Sequence, residues 1–314
     1  MHQQKTVYLQ YLPEFDAYGV KKAVIEQLNQ DGILPEIVCP QELQKKRRFA
    51  VAPTVGFLLG QDKADNGDEY YSVGVNYMHA VLNTGASIRF LDYDNAYKQM
   101  KNCDGVILPG GAFNNPETFY IDGQTLGDEI GKRYFAYRAV ISGAYKAQKP
   151  MLGICAGAQM IGALLGNMKM YRDLKQEVLH PAIHKPKEET DVRVHQIKLL
   201  KGTPIFDIMG LRPDQDRVII NSRHNQAMVQ DVLQDYVIGT PKVKMDMYAI
   251  SDSDNVPEIW GNEKAGILCV QAHPEDLISD TKMQNIYNYI ARKAKEYKTK
   301  HCKIFFQKKI HSIE

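Results

Sequence analysis

Nowhere in the 314 residues does an apolar run reach the roughly eighteen positions that a membrane-spanning helix needs, so no membrane partner is expected. An excess of charge of one sign is also missing. Lys and Arg number 39 against 37 Asp and Glu, a net +2. A balance this even gives no electrostatic reason to expect nucleic acid as a partner. Cysteine is scarce: Cys39, Cys103, Cys155, Cys269 and Cys302 are odd in number, scattered, and form no Cys-x-x-Cys pair. That argues against a disulfide framework and a paired-cysteine zinc site, and fits reduced thiols in a cytoplasmic protein. The opening MHQQKTVYLQYLPEF lacks a long apolar stretch behind a basic one, so no secretory leader is expected. Internal repeats and low-complexity tracts are absent too. What remains, with 44% hydrophobic and 24% charged residues, is a globular chain long enough for one large domain with an appended arm.

Short β-like runs alternate with helical patterns, which implies a mostly parallel sheet covered by helices. KTVYLQYL and ILPEIVCP read as strands on either side of a helix over Ala17–Gly32, and the basic cluster Lys45–Arg48 reads as a solvated boundary. A second series follows. PTVGFLLG, SIRFLDY, DGVILPGG and PMLGI read as strands, interleaved with helices over Tyr71–Thr84, Glu129–Ala147 and from Ala156 onward. Thereafter VRVHQIKLL, DRVIINSRH, YVIGTPKVKMDMYAI and EIWGNEKAGILCVQAHP read as strands joined by turns, before a closing helix over Thr281–Tyr297. The expected division is an N-terminal extension of unassigned role (1–50), a catalytic domain (51–297) and a basic tail (298–314).

Within PMLGICAGAQMIGALLG, Cys155 sits between an apolar strand and a helix, with Gly153 and Gly157 two residues to either side. A cysteine on such a turn is lifted above the sheet, and the helix N-terminus favours its thiolate. The backbone N–H of Ala156 is then placed to donate to an oxyanion. A base and an orienting group for that base are supplied by CVQAHPED. There, His273 and Glu275 are two apart and would share a side if the chain stays extended through Pro274. DGVILPGG ends in Gly110 and Gly111, which can bring a backbone N–H to the same oxyanion without a clashing Cβ.

These residues resemble the class I glutamine amidotransferase superfamily, whose nucleophile motif Gly-x-Cys-x-Gly-x-Gln appears here as Gly153 to Gln159. His273, Pro274 and Glu275 match the second half of its triad, and LPGG matches its oxyanion strand. INSRHNQAM, Ile220 to Met228, is similar to a segment of the γ-glutamyl hydrolase branch typified by γ-glutamyl-GABA hydrolase. The resemblance implies a flavodoxin-like three-layer α/β/α sandwich. It implies Cys155 as nucleophile, His273 as acid and base, Glu275 as its orienter, and the amides of Ala156 and Gly111 as the oxyanion hole. It further implies Gln159 in a γ-glutamyl pocket, with Asn221, Ser222, His224 and Gln226 along its rim. The expected activity is hydrolysis of a small-molecule γ-glutamyl amide, with no metal or cofactor; a homo-oligomer is left open. Two positions depart from the pattern: Ala156 stands where the branch has arginine, and Ala272 where the superfamily has a bulky aromatic. They keep two other readings open, a glutaminase feeding ammonia to a partner synthase and a non-catalytic γ-glutamyl binder on the same scaffold. A redox or chaperone protein sharing the cysteine turn fits less well, because such proteins do not usually pair the turn with a late His-Pro-Glu. HPAIH spaces His180 and His184 four apart, but Pro181 and the polar KPKEET beyond it read as a loop rather than a metal-binding helix face. His195 is expected on a strand near the site.

Overall fold

The computed structural model describes residues 6–10, 34–38, 52–63, 69–111, 115–121, 131–179, 181–186, 193–229 and 242–310. The helix expected over Ala17–Gly32, the Lys45–Arg48 cluster and His180 lie outside them.

The strands in chain order are β1 (Thr6–Gln10), β2 (Leu34–Val38), β3 (Thr54–Leu58), β4 (Gly60–Lys63), β5 (Glu69–Ser72), β6 (Ser87–Leu91), β7 (Gly105–Leu108) and β8 (Met151–Ile154). They continue as β9 (Met170–Tyr171), β10 (Arg193–Leu199), β11 (Arg217–Asn221), β12 (Ala227–Met228), β13 (Asp246–Ser251), β14 (Pro257–Asn262) and β15 (Ile267–Val270). One large sheet takes the order β11-β10-β13-β14-β15-β8-β7-β3-β6-β1-β2. From β15 through β2 all pairings are parallel; from β11 through β15 they are antiparallel. Strands β7 and β8 are buried at every position, as expected of parallel strands covered on both faces, and this explains their unbroken apolar runs. The helices Lys132–Lys146 and Ala156–Gly166 pack together on the sheet, and Val75–Leu82 packs with the C-terminal helix Thr281–Ile310, giving the expected three layers.

Three expectations shift. Tyr71 and Ser72 belong to β5, which pairs back on β4 through Tyr71↔Gln61 and Ser72↔Gly60, so the helix begins only after Gly74. Within the described part of YVIGTPKVKMDMYAI, only Asp246–Ser251 is strand. The last helix does not stop at Tyr297 but continues to Ile310, because no glycine or proline interrupts KTKHCKIFFQKKI. In the first fifty residues, β1 and β2 add to the edge of the sheet through Leu9↔Ile88. Among the described residues no helix is long and apolar enough to cross a membrane.

Topology sets the place of the site. Strands β15, β8 and β7 are adjacent and parallel, and their carboxyl ends carry His273, Cys155 and Gly110, respectively. Open α/β sheets place ligands at this edge.

Candidate active site

Cys155 occupies a tight turn at φ 50°, ψ −114°, a conformation that a side-chain-bearing residue rarely adopts. Its N–H donates to Val270 O at 2.8 Å and its carbonyl accepts from Gln159 N–H at 3.0 Å, so the turn is locked to β15 and to the helix it opens. The two flanking glycines have packing reasons. A Cβ on Gly153 would lie 2.7 Å from the backbone nitrogen of Ala158, and one on Gly157 would enter the Leu108 carbonyl. Both let the helix Ala156–Gly166 settle directly on β7 and β8.

The three strand ends converge. A Cβ on Gly110 would sit 2.8 Å from His273 Cε1 and 3.0 Å from Cys155 Cβ. The chain does not stay extended through Pro274, since Pro274–Leu277 forms a 3-10 turn, yet His273 Nδ1 is 2.6 Å from Glu275 Oε1, which leaves Nε2 for the sulfur when Nδ1 carries the proton toward the carboxylate. Burial alone would lower the His273 pKa, but the charges of Glu275 and Cys155 outweigh it and push it up to about 10. Glu275 is itself buried and also lies near the Tyr287 hydroxyl (3.5 Å) and Arg223 (3.8 Å). Burial, then the Glu275 charge, raises the Tyr77 and Tyr287 hydroxyls well above their ordinary range, so both stay protonated.

The Pro109–Gly111 turn is held by side chains that the sequence did not point to. Tyr137 donates to Pro109 O at 2.7 Å and Arg133 to Gly110 O at 2.7 Å. The Gly110 N–H donates to the Tyr77 hydroxyl at 3.2 Å, and that hydroxyl is 3.5 Å from His273 Nδ1. Gly110 is therefore committed to bracing the turn, while Gly111, at φ 130°, lines the cleft with Ala156. These tyrosines and Arg133 lie on helices whose apolar spacing looks like ordinary core, so no sequence signal marked them.

Cys155 and His273 open into a cleft of about 1030 Å³, whose wall also includes Gly111, Ala156, Gln159, His224 and Gln226. Gln159 donates to Gln226 O at 2.8 Å and to Gln271 Oε1 at 3.1 Å, fixing the loop opposite the nucleophile helix. Asn221 and Ser222 are not in the wall. Asn221 is fully buried and grips the His273 backbone twice, donating to its carbonyl at 2.8 Å and accepting from its N–H at 3.1 Å. Ser222 is buried and donates to His184 O at 2.6 Å. His195 lies on β10, as expected, beside His184, His224 and Glu258 in a buried cluster. Arg172, Arg223 and Lys185 bring positive charge to the cleft, and Asp173 and Glu177 bring negative.

Comparison with known proteins bears on this geometry. The profile of the family described as Peptidase C26 matches residues 56–275, a span that includes the cysteine turn and ends on Glu275. The glutamine amidotransferase-like protein YvdE of Lactococcus lactis is 26% identical over 189 residues, covering 58% of this chain and 70% of that protein. The glutamine amidotransferase PB2B2.05 of Schizosaccharomyces pombe is 26% identical over 182 residues, covering 56% of this chain and 64% of the relative. Among solved structures, a GMP synthase component from Thermoplasma acidophilum aligns with a TM-score of 0.51 at 16% identity, over 79% of this chain and 98% of that one. The glutaminase domain of Trypanosoma brucei CTPS aligns with a TM-score of 0.50 at 16% identity, over 77% and 94% respectively. At that identity the two structures speak to the fold alone.

Proposed function

The chain belongs to the Peptidase C26 family, within the glutamine amidotransferase-like hydrolases, and from that premise we propose that it cleaves γ-glutamyl amides to glutamate and an amine. One observation carries the reading: His273 lies between Glu275 and Cys155 at the mouth of a cleft whose wall holds Gly111 and Ala156. The Cys155 thiolate attacks the γ-carbonyl, and the amides of Ala156 and Gly111 receive the oxyanion. Imidazolium His273 gives its proton to the departing amine, leaving a γ-glutamyl thioester. His273 then takes a proton from water, whose oxygen attacks the thioester and frees glutamate and the thiolate. The α-carboxylate and α-ammonium of a γ-glutamyl group both find opposite charges in the cleft.

Ala156 lines the cleft, whereas Ala272 is buried in the core and outside the wall. The amine half of the substrate is best found by direct assay. Mass spectrometry of the purified chain against a panel of γ-glutamyl amines and glutamine tests the proposal. Glutamate release from at least one γ-glutamyl amine is expected; release from glutamine alone would replace the hydrolase with an ammonia-supplying glutaminase.

Two further outcomes check the roles assigned. Because the Glu275 charge holds the imidazolium, kcat/KM is expected to persist through neutral pH and fall only as pH rises toward about 10. The sign follows from a raised histidine pKa: the charged form is complete below the ordinary value and is lost as pH climbs through the raised one. Glu275→Gln should move that alkaline limb downward and cut kcat by roughly 10²–10⁴-fold. An unmoved limb would remove Glu275 from the mechanism. Asn221 is assigned as a positioning residue. Asn221→Ala strips two bonds from the His273 backbone, at roughly 1–3 kcal/mol for each buried group left unpaired. It should lower kcat while leaving KM nearly unchanged, whereas a purely structural role would lower melting temperature alone.

A further inference from the structure

Extending inward from the cleft wall at His224 is a cluster that the proposed reaction does not use. His184, His224 and Glu258 are 3%, 4% and 0% exposed, and one donor atom from each lies within 4.8 Å of the others. Glu258 Oε1 is 3.3 Å from His184 Nδ1 and 3.8 Å from His224 Nε2. Among the described residues, His184 Nδ1, His224 Nε2 and Glu258 Oε2 have no hydrogen-bond partner. The other nitrogen of each histidine is engaged from outside. His184 Nε2 is 2.8 Å from Asp254 Oδ2, and His224 Nδ1 is 2.9 Å from Gln226 O. Asp254 is in turn fixed by the Ala182 N–H at 2.6 Å.

From these contacts we propose that His184, His224 and Glu258 form a binding site for a zinc-type divalent transition metal. Three features argue for it over a bare polar network. Tetrahedral zinc with ligand distances of about 2.0–2.2 Å holds its donors roughly 3.4 Å apart, close to the 3.3 and 3.8 Å that separate Glu258 Oε1 from the two histidine nitrogens. Each histidine turns one nitrogen toward Glu258 while a carboxylate or carbonyl fixes the other, the outer-sphere arrangement that orients metal-binding imidazoles. Two histidines and one carboxylate also make a donor set suited to zinc, with a fourth position left for water. His195, with Nε2 2.9 Å from Glu258 Oε1, braces the carboxylate from β10. The metal would tie the 181–186 segment to β14 and to the Asn221–Gln226 loop that Gln159 grips. Its role is to hold the cleft wall, and it takes no part in the cysteine chemistry.

The test uses full-length protein, stripped with chelator and titrated with Zn²⁺ and, separately, Co²⁺. About one equivalent should bind, giving visible Co²⁺ bands of nitrogen and oxygen coordination without a thiolate charge-transfer band. Cys155→Ala should bind the same amount, because the cysteine is not a ligand. His224→Gln should lose the metal, and Asp254→Asn, which keeps every ligand, should weaken affinity about 10–100-fold. The wild-type Co²⁺ spectrum does not depend on any variant folding. No binding to wild-type protein, a thiolate band, loss of metal in Cys155→Ala, or full retention in a folded His224→Gln would each overturn the site. None of these readouts depends on turnover, so the metal site and the hydrolase proposal fail separately.

Discussion

Cys155→Ser should reduce glutamate release by on the order of 10⁴–10⁶-fold, the scale of loss when a covalent nucleophile is disabled. The reason is chemical, since the substitution keeps one γ-atom and its place at the head of the helix. A hydroxyl beside imidazolium His273 stays protonated, and the site that receives it is arranged for a thiolate. Replacing a side chain in a nearly buried turn by its near-isostere should change stability by no more than about 1 kcal/mol. The check is paired: turnover by mass spectrometry and melting temperature on the same preparation. A trapped γ-glutamyl adduct, heavier than the chain by one glutamyl group, should form on wild-type protein and be missing from the variant. Full turnover by Cys155→Ser would end the thioester mechanism, whatever the fold.

How far the sequence could carry this site depended on whether each contribution is local. Cys155 with its two glycines, and His273 with Glu275, are short contiguous patterns, because the turn and the histidine–carboxylate pair are each made within a few residues. The alternation of apolar runs was equally local, and it marked β7, β8 and β15 in the order that brings the three strand ends together. What could not be read were partners assembled across the sheet. Tyr77, Arg133 and Tyr137 reach the Pro109–Gly111 turn from helices far away in the chain, and nothing in their own neighbourhoods separates them from core residues. Asn221 was expected on the rim because the family resemblance put its segment there, yet β11 delivers it beneath His273, where its amide serves backbone groups. His184 stood four residues from His180, but Pro181 and the polar residues beyond marked the segment as a loop. Its neighbours at the cluster come from β10, from the loop after β11 and from β14, a convergence that only the tertiary fold creates.

Two glycine-to-alanine substitutions, identical as chemistry, should separate folding from catalysis. At Gly157 the added methyl meets the Leu108 carbonyl, which is backbone of a central strand. Relief requires the helix Ala156–Gly166 to lift off β7, and overpacking of this kind should cost roughly 3 kcal/mol. For a domain of this size that corresponds to a fall in melting temperature of about 6–12 °C. At Gly110 the methyl meets His273 Cε1, Cys155 Cβ and, at 3.4 Å, the Tyr77 hydroxyl. These are side-chain atoms that can yield by a few tenths of an ångström, so the fold should lose little. The groups that yield are the proposed acid and nucleophile; a full 1 Å there costs about 10²-fold in rate, so a few tenths should cost about 10-fold. Gly110→Ala is thus expected to melt near the wild-type temperature with kcat reduced about 10-fold, and Gly157→Ala to melt early. Wild-type kcat in Gly110→Ala would show that His273 and Cys155 have more room than their contacts imply, and would weaken the case that this strand end forms the reaction centre.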